Sequence, residues 1–368
     1  MLPVKINQSN ISLLNLHTDK IEGLLRIKLN DKIGTFTINS FEHNALNWLE
    51  GNLSLILNST TDKLRTIIRD FNIFIESTIT GISWNQNNYQ IATNEQLKQV
   101  CRDNNLSGFS NKNKNELIAL IIHGSITDYI TINQIKFKEF KKQIADVFEI
   151  FYEKKWDDIE GYNRYVFVKE HKINTCPYCN RGYIFIVKSD SAIGKLRPEI
   201  DHFFPKSIYP YLAMSFYNLI PSCSICNHTK KSKDPYLDNL LSPYEIDYST
   251  FKFTYNLKNL NFYQIKERKF NINLDSFDIQ LNGLNIEYMN KYFKLDLLYE
   301  QHKDVVLEIL IKRTEYPKSY IENLKKDFKF TDDEIYRFLL CNYKKNEDLH
   351  KRPLSKLTKD IAEELKLI

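Results

Sequence analysis

Hydrophobic residues recur every three or four positions in two stretches of the N-terminal part. Leu64, Ile67, Ile68, Phe71 and Phe74 share a helical face within Thr61 to Glu76, and Phe137, Phe140, Ile144, Val147 and Phe151 share another. Both predict core-facing helices, the second leading into the next domain. After Pro243 the period shortens to two. Phe270-Asn-Ile-Asn-Leu274 and Phe277-Asp-Ile-Gln-Leu281 alternate as half-buried strands do, and Asn282-Gly283 before Leu284 and Ile286 predicts a two-residue hairpin turn. The C-terminal part returns to helix. Thr331-Asp332-Asp333-Glu334 has the form of a capping box, followed by an apolar face of Ile335, Phe338 and Leu339. Past Arg352-Pro353, a final helix is predicted with Leu357, Ile361 and Leu365 on one stripe. No tandem repeat interrupts this order.

Composition narrows the class. With 42 % hydrophobic residues and only 10 Gly and 10 Pro in 368 residues, the chain is a folded protein and neither disordered nor collagen-like. Domains of about 100–200 residues each predict two or three of them. The shifts in pattern place these at 1–150, 151–245 and 246–368. Six cysteines are too few for a secreted disulfide scaffold, and Met1 to Asn10 lacks a cationic stretch followed by an apolar one. A cytoplasmic protein is expected. The apolar run Leu117 to Ile122 stops at His123-Gly124, far short of the roughly 18 residues that span a bilayer.

Four cysteines fall into two C-x-x-C pairs, Cys176-Pro-Tyr-Cys179 and Cys223-Ser-Ile-Cys226. Each pair puts two thiolates on one turn, and two such turns complete a tetrahedral sulfur shell for a structural Zn²⁺. A closed four-sulfur site leaves no open position for chemistry, so activity must come from residues nearby. The 43 residues between Cys179 and Cys223 are too many for a simple ribbon loop. They contain Glu199-Ile-Asp201-His202-Phe-Phe-Pro205-Lys206 and Asn218-Leu-Ile-Pro-Ser-Cys223, and the second pair continues as Cys226-Asn227-His228-Thr-Lys230-Lys231-Ser-Lys233. Cys101 and Cys341 sit in apolar helical patterns and read as buried thiols.

These residues resemble the HNH endonucleases, whose pattern is Asp-His at a strand end, a middle Asn before the second knuckle and an Asn or His after its last Cys. The wording is most similar to HNH subunits of Septu-type and retron-linked anti-phage defence systems. The resemblance covers Cys176 to Lys233, 58 residues. It implies an α+β protein with a zinc-stapled ββα-metal core, treble-clef-like, flanked by mostly helical N- and C-terminal regions. It also implies a partner ATPase and a role for Asn218 in holding the loop that orients His202.

The chemistry suits those residue types. Phosphodiester hydrolysis needs a base for water and a cation for the charge on the phosphate. The unperturbed imidazole has a pKa near neutrality, so His202 fits the base, while Asp201 is a hard oxygen ligand for Mg²⁺ or Mn²⁺. By the resemblance, Asn227 is the second ligand, with His228 as the alternative; an imidazole ligand favours Mn²⁺ or Ni²⁺. Glu199 lies two residues before Asp201 on the same strand face. It is read as a solvated carboxylate or a supporting partner, and alternatively as a further ligand. Lys206, Lys230, Lys231, Lys233 and Arg181 are candidates for phosphate contacts. Residues 176–233 hold eight basic and three acidic side chains, which equals the net charge of +5 of the whole chain.

Residues 93–123 resemble a SAP-type helix-loop-helix, with Lys112 and Lys114 in its loop as DNA-backbone candidates. The expected function is a metal-dependent DNA endonuclease in defence. The alternatives are a non-catalytic zinc module that binds nucleic acid or protein, and an RNase or guided nuclease with the same site.

Overall fold

The computed structural model describes residues 1–5, 8–79, 89–90, 92–123, 129–187, 196–231, 233–258 and 274–367. It is a helix-rich α+β protein with two small antiparallel sheets among the described residues. The chain gathers into two compact units. One comprises Asn15–Glu160 and Lys206–Phe216; the other comprises Met1–Leu14, Gly161–Pro205 and Tyr217–Ile368.

The first unit holds most of α1 (Gln8–Ile33), then α2 (Phe41–Gly51), α3 (Leu53–Asn58), α4 (Thr61–Ile79), α5 (Asn94–Asp103), α6 (Lys114–His123) and α7 (Tyr129–Ile150). The period of the apolar residues decides which faces are buried. Leu64, Ile68 and Phe71 of α4 and Phe140, Ile144 and Val147 of α7 are core residues, as their spacing predicts. Aromatic contacts tie the helices together: Trp48 lies 5.0 Å from Phe71, and Phe41 meets Phe140 edge-on at 5.1 Å. The excursion Lys206–Phe216 is anchored here. Tyr211 packs edge-on against Phe71 at 4.9 Å, and the buried His17 donates a ring N–H to the Met214 carbonyl at 2.7 Å.

The helix-loop-helix expected at 93–123 forms as α5 and α6. Thr93 and Gln96 make a capping box at the start of α5, and Leu97, Val100 and Cys101 pack with Leu117, Ile118 and Ile121.

In the second unit β1 (Glu199–His202) pairs antiparallel with β2 (Leu219–Ser222), and α9 (Ser224–Lys230) follows. A second hairpin, β3 (Phe251–Leu257) with β4 (Phe277–Gly283), packs with the C-terminal helices. These are α10 (Ile286–Phe293), α11 (Leu295–Glu300), α12 (Lys303–Glu315), α13 (Lys318–Phe328), α14 (Asp332–Leu340) and α15 (Ser355–Glu364). The Thr331–Glu334 capping box starts α14, and Leu357 and Ile361 of α15 are buried as their spacing predicts. Asp360 of α15 caps the Phe253 N–H at 2.9 Å and is held by Lys356 at 2.6 Å.

Three details differ from the pattern. Asn282-Gly283 does not close a hairpin: Gly283 pairs with Phe251 at the end of β4, and α10 starts at Ile286. Gly283 is needed for another reason, since its φ is +155° and a Cβ there would lie 2.3 Å from the Thr250 carbonyl. The predicted strand Phe270–Leu274 falls outside the described residues except for Leu274, which starts a short 3₁₀ turn. Cys341 is exposed, ending α14 in a left-handed conformation, whereas Cys101 is buried as expected. Among the described residues no helix is long and apolar enough to cross a membrane.

His171, just past α8 (Arg164–Glu170), makes the fold sensitive to acid. Its imidazole is buried, with Nδ1 2.7 Å from the Phe167 carbonyl and Nε2 2.8 Å from the Tyr244 hydroxyl. Burial pushes its pKa from 6.5 down to about 4, against the opposing effect of the Phe167 carbonyl. Between those values the unfolded chain takes up a proton that the folded chain refuses. This contribution is therefore fully present above about pH 6.5 and lost as the pH falls toward 4, ~3 kcal/mol in all. Urea denaturation across this range should show that loss in the native protein and a flatter profile in His171→Gln.

Candidate metal centre and adjoining polar site

The two cysteine pairs are brought to one point by two different local structures. The first is a tight turn in which the Asn180 N–H donates to the Cys176 carbonyl at 2.7 Å and the Arg181 N–H approaches Cys179 Sγ at 3.4 Å. Asn180 takes a left-handed conformation, φ +49°, which Asn tolerates. In the second, Cys223 is the N-cap of α9 and Cys226 lies in its first turn. All four Sγ atoms fall within 4.8 Å of one another, and Cys179 and Cys223 are 3.9 Å apart. Zinc–sulfur bonds of about 2.3 Å in a tetrahedron put sulfurs ~3.8 Å apart, so the cluster fits one Zn²⁺. Burial pushes the Cys176 thiol up, and a cation among the four sulfurs would offset that cost.

The first knuckle reaches outward on both sides. The Asn180 side chain donates to Thr175 Oγ1 at 3.0 Å and accepts from the Ser355 hydroxyl and the Lys356 N–H, both at 3.0 Å, at the start of α15. Tyr178, between the two cysteines, stacks on Phe293 at 4.4 Å and donates its hydroxyl to Asp201 Oδ2 at 2.6 Å. Burial and the neighbouring carboxylate push the Tyr178 pKa up, so it remains a neutral donor.

The register of the first hairpin opposes Asp201 to Ile220 and His202 to Leu219. Glu199 and Asp201 share a face of β1, and α9 meets them there. Asn227 donates its amide to Glu199, and His228 Nε2 stands 3.7 Å from Glu199 Oε1. One turn on, Lys230 is buried, its ammonium 3.1 Å from Asp201 Oδ2 and 2.7 Å from the His202 carbonyl. Burial pushes the Lys230 pKa down while Asp201 opposes that shift. His202 is 9 % exposed and Asp201 5 %, whereas the His228 side chain is 72 % exposed. Asn218, wholly buried, accepts the Phe204 N–H at 2.6 Å and donates to the Phe204 carbonyl at 3.1 Å; its own carbonyl accepts from Phe203 at 2.8 Å. The turn after His202 is thereby bound on both edges.

Several cations expected to meet phosphate are engaged within the protein. Lys230 is a correction: it neutralises Asp201 in the interior, because α9 packs directly on β1. Lys206 pairs with Glu149 at 3.1 Å and with Glu153, and Lys233 donates to the carbonyls of Thr229, Lys291 and Tyr292. Arg181 donates to His302 at 2.8 Å, and Lys114 to the Gln90 carbonyl. Lys231 is exposed and Lys112 half-buried. Sequence reasoning missed Tyr178, although its place inside the first C-x-x-C was visible, and the Lys230–Asp201 pair, whose 29-residue separation leaves no local signal.

Over a 45-residue stretch the chain is 40 % identical to the Septu protein PtuB of Bacillus thuringiensis. That stretch is 12 % of this chain and 18 % of the relative, so most of both chains lies outside the similarity. No family model matches. No solved structure matches.

Two outcomes are expected from these contacts. Metal analysis should find one zinc per chain, lost in Cys223→Ser together with thermal stability. Lys230→Met should cost about 3–5 kcal/mol in denaturant unfolding because it strands the Asp201 carboxylate, and Lys230→Met with Asp201→Asn should recover much of that loss.

Proposed function

We propose that this chain is a metal-dependent HNH-type endonuclease that hydrolyses DNA phosphodiester bonds. The observation that carries this is the hairpin and helix clamped by four sulfurs, a ββα arrangement with Asp201-His202 at the end of its first strand and Asn227 on its helix. The similarity to a Septu protein supports a place in an anti-phage defence complex. The resemblance of the motifs adds an ATPase as the partner.

His202 is the base that takes the proton of the attacking water. Lys230 holds its carbonyl and Asn218 holds the two residues after it, so the backbone that aims the imidazole is fixed from both sides. The candidate donors for a divalent ion differ in readiness. Asp201 is satisfied by Tyr178 and Lys230, so it would be a ligand only if Lys230 gave up its place. Glu199, Asn227 and His228 lie nearer solvent, and the 3.7 Å between Glu199 Oε1 and His228 Nε2 suits two donors each about 2.1 Å from one ion. Glu199, Asn227 and His228 would hold a divalent ion such as Mg²⁺ or Mn²⁺, which would supply positive charge for the scissile phosphate and the departing oxygen.

The closed Asp201–Lys230 pair favours a second reading, a zinc module that binds nucleic acid or protein without cutting it. Incubation with plasmid DNA, linear DNA and RNA in Mg²⁺ or Mn²⁺ separates the two. On the nuclease reading the native protein cuts DNA, and His202→Ala loses at least about a hundredfold in rate with zinc content and fold intact. Equal cleavage by His202→Ala would overturn the mechanism. No cleavage of any substrate, with or without an ATPase partner, would leave the binding module.

A further inference from the structure

The extended segment after the first knuckle presents a surface that neither the zinc site nor the hydrolytic chemistry uses. Thr175 bridges to Tyr183, and Val187 bridges to Leu196 through paired backbone hydrogen bonds of 3.0 and 2.9 Å. The period of two along this ribbon turns Ile184 inward and Tyr183, Phe185 and Val187 outward. Tyr183 is 48 % exposed, Phe185 52 %, Val187 49 % and Leu196 64 %. The two aromatic rings are stacked face to face, with centroids 4.4 Å apart and planes 22° from parallel. Large apolar side chains normally leave solvent, so four on one ribbon face mark a binding surface.

We propose that the Tyr183–Phe185–Val187–Leu196 face is a base-stacking platform for single-stranded nucleic acid. Three observations choose this occupant. First, an exposed aromatic stack can be extended by a flat unpaired base, and such stacking tolerates any sequence. Second, the described ribbon residues 181–187 and 196–197 hold no acidic side chain and are net basic, with Arg181 tied to His302 and the Arg197 guanidinium over the Tyr165 ring at 6.0 Å. Third, Leu196 is three residues from Glu199 on β1, at most about 11 Å of chain, or roughly three nucleotide steps of 3.4 Å. A strand stacked on the ribbon therefore runs within reach of the Glu199–Asn227–His228 cluster. A duplex keeps its base faces covered and offers the ribbon only its backbone.

The choice of ligand rests on the nuclease reading, but its test does not require cleavage. Fluorescence anisotropy of the zinc-loaded full chain, with no other divalent ion added, compares three probes: an oligothymidine of about 12 nucleotides, an abasic strand of equal length and a duplex. The native protein should bind oligothymidine at least about fivefold more tightly than the abasic strand. Phe185→Ala should remove that preference while leaving abasic binding and zinc content unchanged, and Phe185→Trp should retain it. Equal affinity for the three probes, or a Phe185→Ala variant that keeps the preference, would overturn the platform even if the protein cuts DNA. A Phe185→Ala variant that changes the oligomeric state and leaves nucleic-acid affinity alone would assign the face to protein contact instead. Base-dependent binding lost in Phe185→Ala would sustain the platform even if His202→Ala showed the hydrolytic reading to be wrong.

Discussion

Four sulfur atoms within 4.8 Å of one another are the constraint on which the candidate site depends. Buried thiols at that spacing are costly as ions and contribute little as neutral groups, so one divalent cation is what makes the cluster favourable. Both cysteine turns also reach beyond the cluster. The first supplies Tyr178 to Asp201 and Asn180 to the start of α15, and the second starts α9, which lays Asn227, His228 and Lys230 along β1. The hairpin itself is only four residues per strand. A two-stranded ribbon of that length is marginal alone, so its register relies on what is clamped to it.

The Lys230–Asp201 pair shows how closely structure and candidate chemistry compete. A buried ion pair is weak support for stability, since desolvation takes back much of the attraction. Here the ammonium also holds the His202 carbonyl, so the same contact positions the residue proposed as the base. Connectivity adds a second constraint. The chain leaves the unit that carries the four cysteines at Pro205, contributes Lys206–Phe216 to the helical unit, and returns at Tyr217, directly before Asn218. Residues that flank the proposed base and its bracing Asn are thus joined covalently to a segment whose burial depends on α4 and His17.

What could be read in advance followed the range of each signal. Helical periodicity and the Thr331 capping box depend on neighbours within a few residues, and α4, α7 and α14 formed accordingly. Cysteine spacing carries a metal's geometry directly, so the cluster was legible across its 43-residue gap. Asn282-Gly283 misled because a turn-forming dipeptide also suits a crowded strand end, where Thr250 and Phe251 exclude a Cβ. The lysines misled for a different reason: a basic cluster in sequence does not tell which members point inward, and Lys230 lies one helical turn beyond Cys226 against a buried carboxylate. The exposed aromatics Tyr183 and Phe185 carry no such local signal, because an alternating pattern marks a shared face without saying whether anything covers it.

Hydrogen exchange with and without zinc tests the clamp most directly. Removing the metal should raise exchange together in the first knuckle, in residues 199–204 and 218–230, and at the start of α15, while α4 and α7 keep their protection. Loss confined to the two cysteine turns, with β1, β2 and α15 still protected, would contradict the account, because the site would then stand without its clamp.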